Sequence, residues 1–240
     1  MQVKPLVVFA NVYDCYPAID GMKQLEQYDQ LWVNYVKYPF NYSITEKFFE
    51  ENKQYTHLFY VAPDIVLTKY DFDCMIKYIE KHNPPVYGAC CNVDTQKYND
   101  SLACCLKLPD LEYVNRRYRW LKESQRKFLI NNGSSVIKVK FNANLAFVRR
   151  DIKEKIKYMT VPYETDERPI HEANGGYACD LAFCHFMDSL GIEPLVDLRY
   201  KLKHLRYNGR VLVGVKEPLI ELKSNGNTNN ITHQFKDLIK

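Results

Sequence analysis

The stretch that most constrains this chain is Leu58-Phe59-Tyr60-Val61-Ala62-Pro63-Asp64. Its apolar and aromatic residues follow one another without alternation, as in a strand buried on both faces of a parallel sheet. Pro63 cannot donate to a ladder and ends the run, and a carboxylate follows at once. A charge at the end of a central strand stands where open α/β sheets hold their ligands. Taken locally, Asp64 is equally well read as a turn residue, so its meaning depends on the rest of the chain.

The rest of the first half alternates. Leu6–Ala10 reads as a strand ending in the polar turn Asn11-Val12-Tyr13-Asp14. A helix is expected from about Pro17 to Tyr28, with the proline tolerated in its first turn. A second strand covers 31–36, and Ser43-Ile44-Thr45-Glu46 reads as a capping box opening a helix to about Asn52. After the central strand at 57–62, Asp71 is expected to cap a helix through Lys81, which Pro84-Pro85 cannot extend. Residues 86–91 form a fourth apolar run. This alternation predicts a single α/β domain whose central, mostly parallel sheet is flanked by helices, with 6–10, 31–36, 57–62 and 86–91 as neighbouring strands. Neither a Gly-x-Gly-x-x-Gly nor a Gly-x-x-x-x-Gly-Lys loop is present, so the common dinucleotide and P-loop readings lose their main support.

The second half is less regular. Residues 111–130 suggest a basic helix carrying Arg116, Arg117, Arg119, Lys122, Arg126 and Lys127, which is most simply a solvated face. Val136–Val148 reads as a hairpin or strand pair, and Asp151-Ile152-Lys153-Glu154 as a second capping box. Residues 160–176 form a long polar loop of the kind that carries function in compact domains. Tyr177–Leu190 is an amphipathic helix stopped by Gly191. A strand near Pro194–Val196 leads to Lys203-His204-Leu205-Arg206.

Composition sets outer limits. The chain has 240 residues, 46% hydrophobic and 26% charged, which suits one globular domain over 1–224. The Asn-rich remainder, 225–240, is expected to be a mobile or loosely docked polar tail. A formal charge of +4 is too small to argue for nucleic acid. No apolar stretch reaches the ~18 residues of a membrane span, and Met1–Pro5 leads into a strand without a targeting signal, so a cytoplasmic protein is expected. The 8 cysteines contain no Cys-x-x-Cys pair of the zinc-binding kind. Cys90-Cys91 and Cys104-Cys105 read as small buried thiols, with cross-links between neighbouring strands as the alternative.

Three chemistry-bearing residues stand at comparable places: Asp64 after the central strand, Asp180 opening a helix, and His204 after a late strand. Each has a plain structural reading, Asp180 for instance as a carboxylate favoured by a helix dipole. Together they are better explained by a site.

The pattern resembles glycosyltransferases of the GT-A fold, which use nucleotide-sugar donors. In that family an apolar strand ends in Asp-x-Asp at a divalent metal. Phe59-Tyr60-Val61-Ala62-Pro63-Asp64 matches it with Ala62 in place of the first acid and Asp64 as the second, which usually binds the metal directly. Gly175-Gly176-Tyr177-Ala178-Cys179-Asp180 resembles the family's helix-start carboxylate after a Gly-rich acceptor loop, and His204 its late metal-shell histidine. Phe141–Arg150 looks like the strand preceding the acceptor half, and Ala10–Asp14 occupies the place of the nucleobase contacts. The resemblance spans roughly 5–206.

It implies a nucleotide-diphosphate sugar donor held by Asn11, Tyr13, Tyr60, Ala62 and Asp64. It also implies Mn²⁺ or Mg²⁺ on Asp64 and His204, and a sugar, lipid or protein acceptor. Asp180 is then the catalytic residue, a general base on the acceptor hydroxyl if the sugar inverts. Hard cations accept carboxylate and diphosphate oxygens, and Mn²⁺ also takes imidazole. Two alternatives remain: an inactive nucleotide-binding or scaffold protein, favoured by Ala62, and a sugar-phosphate nucleotidyltransferase, for which the turn at 11–14 lacks the Gly-rich basic loop.

Overall fold

A computed structural model describes residues 2–36, 40–92, 101–106, 120–142, 146–155, 187, 189–205 and 216–239. Five strands share one direction: β1 (Pro5–Phe9), β2 (Asp29–Asn34), β3 (His57–Val61), β5 (Val86–Cys91) and β10 (Leu195–His204). The rest run against their neighbours: β4 (Ile65–Val66), β6 (Ser101–Leu106), β7 (Trp120–Lys122), β8 (Val136–Asn142), β9 (Ala146–Arg149), β11 (Leu219–Ser224) and β12 (Asn227–Asn230). The sheet runs β12-β11-β2-β1-β3-β9-β5-β10-β8-β6-β7, with β4 on the end of β10. It is a mixed sheet flanked by helices, in which the expected mostly parallel centre is interrupted: the parallel sets β2-β1-β3 and β5-β10 lie on either side of the antiparallel β9.

The expected neighbours 57–62 and 86–91 are separated. β9 inserts between them, antiparallel to both, pairing Phe147 with Phe59 on one side and Tyr87 on the other. The segment 136–148 therefore holds two strands, as expected, but no hairpin: β8 pairs with β10 and β6 instead.

Alternate residues of the central strands feed opposite cores, which is why these runs are apolar throughout. On one face Leu6, Val8, Leu58 and Tyr60 pack with Phe48 and Phe49 of α2 (Phe40–Glu51) and with Phe235. On the other, Val7, Phe9, Phe59 and Val61 pack with Met22 of α1 (Tyr16–Lys23) and with Phe72, Met75 and Ile79 of α3 (Lys69–His82). Cys90 and Cys91 are free thiols pointing to different cores.

Several local expectations shift. α1 stops at Lys23 rather than Tyr28. Ser43 lies inside α2 rather than at its start, and Glu46 forms a buried 2.8 Å ion pair with Lys153. Thr68, not Asp71, caps α3: its hydroxyl oxygen accepts from the Asp71 amide at 3.1 Å. Asp151 sits in the first turn of α5 (Arg150–Lys153) and pairs with Arg149, the residue at the cap.

Of the expected basic helix, residues 120–122 form β7 and the helix α4 spans Glu123–Asn131. Its Arg126 is engaged with Glu123 and the Leu198 carbonyl, while Arg116, Arg117 and Arg119 lie outside the described residues. Gly191 does adopt the left-handed conformation that stops a helix (φ 68°).

The Asn-rich end is not a loose tail. Asn225 and Gly226 both have positive φ (50° and 76°) and turn β11 into β12, and β11 pairs with β2. Such an Asn-Gly pair is the turn that suits the twist of a two-residue hairpin. A 3₁₀ helix, Thr232–Leu238, then buries Phe235 completely against α2. The boundary placed at 225 falls inside this hairpin.

Candidate functional site

The strand β3 ends at Val61, and the turn Ala62–Ile65 is closed by the Ile65 amide donating to the Ala62 carbonyl at 3.2 Å. The chain then forms β4, which pairs antiparallel with the last residues of β10, setting Ile65 opposite His204. The Leu205 amide donates to the Asp64 carbonyl at 2.9 Å. α1 closes over this corner because Gly21 has no side chain: a Cβ there would sit 2.6 Å from the Leu67 carbonyl oxygen. Main-chain pairing therefore places the Asp64 and His204 side chains together.

His204 Nε2 lies 3.3 Å from Asp64 Oδ2, and the Tyr13 hydroxyl donates to the same oxygen at 3.1 Å. His204 Nδ1 is 3.0 Å from the Asn92 carbonyl, which can only accept, so Nδ1 carries a proton and Nε2 faces Asp64. Asp64 is 4% exposed. Burial pushes the imidazole pKa down, but hydrogen bonds to Asp64 and Cys91 outweigh it and hold the ring pKa at about 11. The pair is an imidazolium on a carboxylate.

A second polar cluster adjoins through the turn that carries Tyr13. Buried Asn11 donates to Asn34 Oδ1 at 2.9 Å, and Asn34 donates to Glu221 at 3.2 Å. Asn11 Oδ1 is buried with no hydrogen-bond partner among the described residues, a deficit worth roughly 1–3 kcal/mol. Asp14 accepts from the Tyr35 hydroxyl at 2.9 Å and from Lys216 Nζ at 2.8 Å. Burial raises its pKa, but those two partners draw it below the ordinary carboxylate value. Tyr35 is held at a left-handed φ of 58°. The Lys216 ammonium lies 4.6 Å from the centre of the Tyr35 ring.

Of the residues singled out from the sequence, the structure brings Tyr13, Asp64 and His204 together and sets Asn11 beside Asn34 on the next strand. Ala62 packs along the α1–α3 core. Tyr60 does not face Asp64: it points into the other core, stacked on Tyr42 at 4.5 Å, its hydroxyl accepting from Asn41. Being on the strand that leads to Asp64, it shares that strand's direction but not its ligand-facing end. Asp180 and the loop 160–176 lie outside the described residues.

Sequence reasoning passed over Asn34, Tyr35 and Lys216. Asn34, a polar residue closing an apolar strand, carries the same signal as Asp64 two strands away. Lys216 has no local signal and reaches Asp14 only through tertiary folding.

Asp64 and His204 fit the role of metal ligands in part. The Nδ1–H bond to a carbonyl is the usual support of a histidine that ligates through Nε2. The pair offers two donors, and among the described residues no group of three or more His, Cys, Asp or Glu side chains could hold a metal ion. A cation held there would need further oxygen ligands from outside these two side chains.

No model of a known family matches the sequence, and no curated protein matches it. Among solved structures, the crystal structure of A197 from STIV is similar, with a TM-score of 0.50 at 15% identity. The match covers 88% of this chain and 98% of that one. That likeness concerns the fold alone.

Proposed function

We propose that this chain is a glycosyltransferase that moves a sugar from a nucleotide-diphosphate donor to a hydroxyl acceptor with the help of Mn²⁺ or Mg²⁺. The observation that carries the reading is the 3.3 Å approach of His204 to Asp64 beyond the end of β3. Two polar groups from distant parts of the chain meet where a parallel sheet presents its ligands.

The residues divide the work. Asn11 Oδ1, a buried acceptor lacking a donor among the described residues, takes an N–H of the base. Tyr13 aims the Asp64 carboxylate by donating to it. Asp64 and the Nε2 of His204 would hold the cation, which would supply positive charge to neutralise that developing on a leaving diphosphate. Lys216, already 2.8 Å from Asp14, adds positive charge at the same end of the sheet. Asp180 removes the acceptor proton if the sugar inverts, and contacts sugar hydroxyls if it is retained.

One observation favours a second reading, a nucleotide-binding protein without turnover. Ala62 stands where the first acid of an Asp-x-Asp pair belongs, and the Asp64–His204 pair is satisfied as an ion pair without a cation.

A thermal-shift panel of UDP, GDP and CDP, each with and without Mn²⁺, tests the proposal. A nucleotide at 100 times its Kd adds about 2.7 kcal/mol of stability. Stabilisation that requires both nucleotide and cation, followed by sugar transfer or donor hydrolysis, supports the enzyme. Binding without turnover supports the second reading, and no stabilisation by any nucleotide contradicts both.

A further inference from the structure

We propose that the cavity between the tip of the β11–β12 hairpin and the end of α1 is a binding site for a small oxyanion, a phosphate or carboxylate group, held by Lys223. The cavity measures about 160 Å³ and is lined by Lys23, Glu26, Trp32, Lys223, Asn227 and Thr228, among others. It is separate from the Asp64 site. Lys223 pairs with Gln30 near the start of β2, whereas Asp64 follows the end of β3, two strands away and toward the opposite end of the parallel strands.

The floor of this cavity is already satisfied. The Trp32 indole N–H donates to Gln30 Oε1 at 2.8 Å, and Gln30 Nε2 donates to the Met22 carbonyl at 3.0 Å. The Ser224 hydroxyl is spent on Asp29. Neither the indole N–H nor the Gln30 amide is left over for a ligand.

What remains is chiefly donor. The Lys223 ammonium lies over the indole face, 3.6 Å from its centre, and has no hydrogen bond or ion pair to a protein acceptor among the described residues. Such stacking satisfies part of the charge and leaves the N–H groups free. Burial lowers the Lys223 pKa, Glu221 works against that, and Lys23 adds to it. Asn227 and Thr228 supply exposed polar groups at the rim, and Lys23 a second ammonium. An acceptor-rich, negatively charged group matches that set. Glu26 is the acid in the lining and opposes such a ligand, which gives the assignment a signed test.

The ¹⁵N-labelled full chain is titrated with sodium phosphate and, separately, sodium acetate, with sodium chloride holding the ionic strength constant. The indole N–H of Trp32 is the reporter, and Trp120 the internal control. A saturable shift of Trp32 with either oxyanion, absent with chloride, is expected. Response to phosphate alone assigns a phosphate group, and response to both assigns oxyanions generally. Lys223→Met should weaken binding by at least about tenfold, as loss of a charge-assisted hydrogen bond does. Glu26→Gln, at an exposed position, should tighten it a few-fold and tests the proposal even if the lysine variant fails to fold. No saturable Trp32 shift, a shift unchanged in Lys223→Met, or weaker or unchanged binding in Glu26→Gln overturns it.

Discussion

Asp64 and His204 face each other at 3.3 Å because β4 and the end of β10 are hydrogen-bonded neighbours, with Ile65 set opposite His204 in the ladder. The contact is thus fixed by backbone pairing before either side chain contributes. That arrangement gives the pair a fixed direction, as a ligand site needs. It also makes the ring's protonation an observable.

The His204 imidazole should remain charged from about pH 6 to pH 9. Its folded-state pKa of about 11 exceeds the ordinary 6.5, so the stability it contributes is fully present below the unfolded value and lost as pH rises through about 11. Ring ¹H resonances followed by NMR should show no titration near neutrality in the native protein. In Asp64→Asn the ring pKa should fall toward the ordinary range. Cation binding at Nε2 requires a neutral ring, so Mn²⁺ added in weak buffer should release about one proton per ion. A native His204 that titrates near 6.5 contradicts the ion pair.

His57 makes the opposite prediction. It is 1% exposed, its Nε2 has no hydrogen-bond partner among the described residues, and burial with the nearby Arg149 charge lowers its pKa to about 4. A depressed histidine pKa means the unfolded chain binds the proton first. Stability should therefore fall as pH drops from about 6.5 toward 4, by roughly 3 kcal/mol from this residue. Urea melts of the native protein and His57→Phe across that window should diverge, the variant keeping the flatter profile. Parallel profiles would show that His57 is not buried in its neutral form.

Phe235 tests the C-terminal docking. Its ring is fully buried against Phe48 at a centroid distance of 6.5 Å. Phe235→Ala should cost about 3–5 kcal/mol, as deletion of a buried ring does. A change below about 1 kcal/mol in chemical denaturation would return residues 225–240 to the status of a loose tail.

How much of this was legible follows from where the information lies. The strands at 57–61 and 86–91 could be read because both their faces are buried, which leaves an unbroken apolar run. Their order could not. β9 enters between them from far along the chain, and its sequence, Ala146-Phe147-Val148-Arg149, describes a buried strand without saying where it inserts. The hairpin at 219–230 was legible in principle: Asn225-Gly226 is a strong two-residue turn signal, masked by the polar run around it. Four exposed residues, Asn227-Thr228-Asn229-Asn230, form a strand there because β11 supplies the pairing partner, not because their propensity favours it. In the candidate site, Asp64 and His204 stand out in the sequence by their strand-end positions, and the structure brings them together. Tyr60 was misjudged because period-2 alternation turns it to the other face. Lys216 reaches Asp14 only in three dimensions.

Asp180 carries the catalytic part of the proposal. Asp180→Asn keeps shape and hydrogen bonding but removes the base, so sugar transfer should fall by roughly 10²-fold or more if Asp180 deprotonates the acceptor. Donor binding and Tm should hardly change. Transfer at near native rate in that variant would assign the base elsewhere.

The central claim is that Asp64 and His204 hold a cation that in turn holds a diphosphate. Isothermal titration of the preferred nucleoside diphosphate in Mn²⁺ tests it most directly, comparing the native chain with Asp64→Ala and His204→Gln. The account predicts that omitting Mn²⁺ weakens native binding at least about tenfold. Both variants should bind at that weak level whether or not the metal is present, with far-UV circular dichroism unchanged. Native affinity that is indifferent to Mn²⁺, or full metal-dependent affinity in Asp64→Ala, would contradict it.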